Sequence, residues 1–133
     1  MNDKELRNKV HSAMYSLIKE KGSASPAEVL MAADILSKAD YESWRGGRID
    51  YLERACKTTL RKLSLVNREI RAFAEKNGLK PSYTACVRHV RVKSIRLRFS
   101  KSGDENIERQ YATHYLGSGN PGKPEKTAES PKE

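Results

Sequence analysis

Apolar residues recur at three- and four-residue steps through most of this chain, and around residues 95–99 they shift to every second position. The first spacing lines one face of a helix; the second lines one face of a strand. Leu6, Val10, Met14, Leu17 and Ile18 form the first helical stripe. Asn2 with Glu5 three positions on opens it as a capping box, and Lys21-Gly22 closes it. Ser25, Pro26 and Glu28 make a second capping box with proline at the first helical position, followed by Val29, Leu30, Ala33 and Ile35 in a helix over 26–35. Ser37 starts a short third helix over 38–45, which Gly46-Gly47 ends.

The longest stripe is Leu52, Cys56, Leu63, Val66, Ile70 and Phe73, with Thr59 in the remaining place. Alternating steps of four and three predict one long helix over 51–77, ending at Asn77-Gly78 with Pro81 beyond. After Pro81 the period changes. Ile95 to Phe99 alternates as a half-buried strand, with Tyr83–Val92 as its expected partner, giving a hairpin over 82–101 that turns near Lys93-Ser94. Ser102 to Glu105 opens a last helix carrying Ile107, Tyr111, His114 and Tyr115. The order α-α-α-α-β-β-α predicts a mainly α fold with a small β-hairpin in a single domain, residues 1–116. A winged-helix arrangement with the hairpin as wing is an alternative, although the long helix interrupts its usual order.

Composition extends this picture at both ends. Residues 117–133 hold no aromatic or large aliphatic side chain and are rich in Gly, Pro, Ser and charge. Such a segment buries too little apolar surface to offset its chain entropy and is expected to be a disordered tail. No apolar run approaches a membrane span, and the charged start lacks a signal peptide's apolar core, so a cytoplasmic protein without membrane contact is expected. Cys56 and Cys86 are then expected to be reduced thiols.

Charge is unevenly placed. Residues 45–101 carry 16 of the chain's 26 basic residues and four of its 17 acids, a net charge of +12, while both flanks are slightly acidic. A local positive field of this kind suits a polyanion, and nucleic acid, DNA or RNA, is the leading partner. Arg54, Lys57, Arg61, Arg68 and Arg71 fall opposite the apolar stripe of the long helix. The candidate phosphate contacts are Arg54, Lys57, Arg61 and Arg68 from that helix, with Arg88, Arg91, Lys93, Arg96, Arg98 and Lys101 from the hairpin. Arginine's planar fork binds phosphate bidentately and stays charged. The bland alternative is a solvated helix face and a strand charged against aggregation.

Other chemistry is thinner. Helices 26–35 and 38–45 have the spacing of a helix-turn-helix, but Asp40 and Glu42 on the second would face phosphates. Arg96 to Asp104 runs from a strand into a helix start, where free N–H groups could hold one phosphate, yet the glycine spacing of a nucleotide-hydrolase loop is absent. Trp44, Tyr83 or Tyr111 could stack on a base, though a single tryptophan more often fills a core. Cys86 and His89 have a two-residue gap, but zinc needs four ligands and only Cys56 and His114 remain, so neither metal nor cofactor is expected. Glu108, Tyr111 and His114 fall near one helical face, an arrangement acid–base catalysis could use. An enzyme on a phosphorylated substrate, using His114 or His89 with nearby arginines, is the least favoured reading; a binding domain without catalysis is preferred. A protein-interaction module, with the heptad face docking a second copy or an acidic protein, stands between them.

The strings Asp40–Glu53, Leu97–Asp104 and Tyr111–Tyr115 resemble segments of small uncharacterised bacterial proteins and cover about a quarter of the chain. The resemblance implies a bacterial cytoplasmic setting and brings no activity, ligand or catalytic residue.

Overall fold

The computed structural model describes residues 2–83, 87–90 and 93–117, and at 87–90 and 93–95 the backbone only. Local signals set the boundaries of its first half. Helix α1 (Asp3–Lys21) begins at Asn2, whose side chain accepts from the Glu5 N–H while Glu5 returns the bond to the Asn2 N–H. Gly22 ends it in the left-handed region at φ 77°, a conformation that favours glycine. Strand β1 (Ser23–Ala24) leads into α2 (Pro26–Ala32), capped by Ser25 and Glu28 in the same reciprocal way. Ser37 caps α3 (Lys38–Arg45) by accepting from the Asp40 N–H.

The long helix predicted over 51–77 is two helices. α4 (Leu52–Ala55) is a single turn, and α5 (Leu60–Lys76) starts afresh at Thr59, whose hydroxyl accepts from the Lys62 N–H. Between them Cys56 is extended and the Lys57 N–H donates to the Ile35 carbonyl instead of an intrahelical one. Distant bonds hold α4 as well: the Leu52 and Glu53 N–H groups donate to the Arg98 and Phe99 carbonyls. With the Lys57 donor engaged elsewhere the helical ladder is interrupted there, and two β-branched threonines favour the break. Thr59, the odd member of the heptad, is therefore a cap.

After α5, strand β2 (Lys80–Tyr83) does not pair with the hairpin. It pairs antiparallel with β5 (Thr113–Leu116), which also takes β1 on its other side, giving the sheet order β1-β5-β2. Pro81 sits on an edge strand, where its missing N–H is tolerated. The hairpin is β3 (Val87–Val90) with β4 (Lys93–Arg96), so Lys93-Ser94, expected at the turn, lies within the second strand, opposite Val90 and His89. Leu97 to Phe99 leave that ladder; Arg98 forms an isolated parallel bridge to Tyr51. The predicted alternation holds there, since Leu97 and Phe99 are buried and Arg98 is exposed. The last helix, α6 (Glu105–Ala112), is capped by Asp104 and stops before His114 and Tyr115, which belong to β5. The fold is thus mainly α with a small antiparallel sheet and a hairpin. Residues 118–133, most of the expected tail, lie outside the described residues.

One core joins all of this. Leu6, Val10 and Met14 of α1, Val29 and Leu30 of α2, Trp44 of α3 and Leu63, Val66 and Ile70 of α5 are almost fully buried, together with Leu97, Phe99 and Tyr111. Leu65 and Ala74 are also buried, outside the heptad positions. Leu52, Cys56, Leu63, Val66 and Ile70 of the heptad face are therefore enclosed within the chain, while Phe73 is half-buried and Thr59 exposed. Among the described residues no helix is long and apolar enough to cross a membrane.

Candidate nucleic-acid interface

Helix α5 buries one side and exposes the other. Arg61, Ser64, Arg68, Arg71 and Glu75 follow one another at three- and four-residue steps and are all exposed, so they form one outward stripe. Arg61 is not available to a phosphate in this arrangement. Its guanidinium donates to both carboxylate oxygens of Asp3, each bond 3.1 Å, and holds that carboxyl below its usual pKa. Among the described residues Arg68 and Arg71 make no ion pair. They are the open cations of the stripe. Glu69, on the side facing α1, is engaged by Arg7 and by His11 at 3.0 Å.

The remaining predicted contacts lie elsewhere. Arg54 on α4 pairs with Asp50 at 3.0 Å, both well exposed. Lys57 is exposed in the break between α4 and α5. Arg98 lies with its guanidinium 5.0 Å from the Tyr51 ring centre and its Nε donating to the Ser100 carbonyl. The exposed Lys101 is tied through its backbone N–H, which donates to Glu53. Arg98 and Lys101 are thus tied to Tyr51 and Glu53, at the start of α4. Arg96 is 3.7 Å from Glu105 and donates to the Tyr83 hydroxyl at 3.4 Å. Arg88 lies on β3 opposite Ile95, and Lys93 on β4 opposite Val90. Arg91, like Cys86, lies outside the described residues.

The aromatic and catalytic candidates are claimed by the fold. Trp44 is fully buried, donates its indole N–H to the Arg98 carbonyl at 2.7 Å and meets Phe99 at 4.9 Å between ring centres, so it cannot stack on a base. Glu108 is buried and accepts from the Phe99 N–H, the Ser100 N–H and the Ser100 hydroxyl. Tyr111 donates to Glu53 at 2.6 Å, and burial with that bond drives its pKa up. His114 is exposed on β5, apart from that helical face. Cys56 is buried, its thiol pushed up to about 12 by desolvation. Among the described residues no group of three or more His, Cys, Asp or Glu is placed to hold a metal ion.

A second feature was not apparent from the sequence. Beside the stripe, a cleft of about 430 Å³ opens between α5, α6 and β5. Asn67 and Arg71 line it from α5, and Asn106, Arg109 and Gln110 from α6. The Arg109 guanidinium stands 4.7 Å from the Tyr83 ring centre. Tyr115 of β5 also lines it; burial raises its phenol while Arg71 acts in the opposite direction. The sequence signal was spacing: Asn67 and Arg71 are four apart, and Asn106 lies three and four before Arg109 and Gln110. Only the packing of α6 beside α5 brings the two sets together.

No family model matches this chain, and neither a curated protein nor a solved structure matches it.

Proposed function

We propose that this domain binds nucleic acid through the outward face of α5, in a cytoplasmic and bacterial setting, by contacts that are mainly electrostatic. The observation that carries the reading is the pair Arg68 and Arg71, exposed on consecutive turns and unengaged by any carboxylate among the described residues. A cation without an internal partner keeps its full field for a phosphate.

Connectivity supports the same surface. The succession α1, β1, α2, α5, β2, β5 with sheet order β1-β5-β2 is that of a winged helix, into which α3–α4 and the β3–β4–α6 stretch are inserted. In that comparison α5 takes the place of the groove-entering helix, and the hairpin with Arg88, Lys93 and Arg96 stands where a wing would be. Helix α3, whose Asp40 and Glu42 a simple helix-turn-helix would have put against DNA, is relieved of that role. Phosphate contacts position a protein without reading sequence, so little sequence preference is expected.

Fluorescence anisotropy with labelled duplex DNA, duplex RNA and single strands, repeated across salt concentrations, tests the reading. Binding that weakens linearly on a log–log salt plot supports it. Absence of binding to every one of these probes at low salt contradicts it.

A further inference from the structure

The cleft beside α5 has a composition that a general phosphate-binding face does not need. Two guanidiniums, three carboxamides and one phenol converge on it, and among the described residues no carboxylate lines it. Guanidinium forks suit a phosphate group, and the cation–π contact with Tyr83 fixes where the Arg109 fork sits. Carboxamides place a donor and an acceptor side by side, the complement of a base edge. At about 430 Å³ the cleft has the size of a small-ligand site, larger than a bare phosphate requires. Tyr115 adds an aromatic ring to the lining.

From these features we infer that the cleft is a site for one nucleoside monophosphate unit. Arg71 and Arg109 take the phosphate, while Asn106 and Gln110 meet the base; Asn67, whose side chain is hydrogen-bonded to the Tyr111 hydroxyl, borders the site. The inference rests on the nucleic-acid reading in one respect: Arg71 belongs to both surfaces, so an unpaired nucleotide of a strand lying on α5 could enter directly. A free nucleotide offers the same chemistry.

Backbone amide NMR of the full chain, titrated separately with adenosine monophosphate, a short single-stranded oligoadenylate and inorganic phosphate, tests it. Saturable shifts at residues 67–71 and 106–115 with either adenine ligand, tighter than with inorganic phosphate, are expected. Arg109→Gln and the exposed, uncharged Asn106→Ala should each weaken the binding about tenfold. Response to the oligoadenylate alone identifies a strand nucleotide; response to the monophosphate alone identifies a free one. Absence of saturation with both adenine ligands into the millimolar range overturns the inference. So do shifts confined to other surfaces, or variants that bind as the unaltered chain does. Anisotropy with duplex DNA separates the two claims. Duplex binding with an unresponsive cleft removes the nucleotide site alone, whereas a responsive cleft without duplex or strand binding removes the nucleic-acid reading alone.

Discussion

The Glu108 carboxylate accepts from both the N–H and the hydroxyl of Ser100, at 2.7 and 2.6 Å, while its other oxygen takes the Phe99 N–H at 2.9 Å. One buried side chain on α6 thereby satisfies the backbone of the stretch that carries Arg98 past α4. Glu108→Ala would leave those buried donors without an acceptor and is expected to destabilise the fold by at least about 3 kcal/mol. Urea denaturation followed by circular dichroism measures this; a change within experimental scatter would show that the stretch is held by other means.

Trp44 reports on the core and not on ligand. Because its ring is fully buried and its N–H is bonded to the Arg98 carbonyl, added nucleic acid is expected to leave its emission maximum unshifted and its iodide quenching weak. Strong quenching by a single strand, as in base stacking, would contradict this placement.

Stability is expected to fall at high pH. Burial raises the Cys56 thiol from 9.0 to about 12 and also raises Tyr111 from 10.0, so in each case the folded state holds the proton more tightly than the unfolded state does. Their contribution is complete below pH 9 and is lost as pH climbs towards 12, because the unfolded chain then binds fewer protons. The limiting slope is about 1.4 kcal/mol per pH unit for each group titrating. Thermal midpoints measured between pH 8 and 11 check the sign. A thiol reagent should likewise label Cys56 only after unfolding.

Asp3→Asn should strengthen nucleic-acid binding. It removes an acid and releases Arg61 on the same outward face as Arg68. Anisotropy is expected to show tighter binding and a steeper salt dependence, by about one unit if Arg61 then gains one phosphate. Unchanged affinity would place the bound strand away from the first turn of α5.

What could be read in the sequence was local. Asn2, Ser25, Ser37 and Gly22 sit where they do because a helix end is decided within four residues, so those boundaries emerge directly. The break at Cys56–Thr59 did not emerge because a cause lies far off in the chain, in the Ile35 carbonyl that takes the Lys57 N–H. Thr113–Leu116 looked helical since Tyr111 and Tyr115 are four apart, and only pairing with β1 and β2 makes the segment a strand. Charge along the sequence does not show which cations meet a carboxylate: Asp3, Asp50 and Glu105 each engage one of the ten basic positions, through folding or local spacing. The cleft was hidden for the same reason, as it depends on α6 lying beside α5.

The central claim, that the outward face of α5 grips phosphates, is tested most directly by the salt dependence of duplex binding in the double variant Arg68→Ala, Arg71→Ala. Two lost phosphate contacts predict a log–log slope shallower by about 2 and weaker binding at every salt concentration. A slope and affinity equal to those of the unaltered chain would contradict the account.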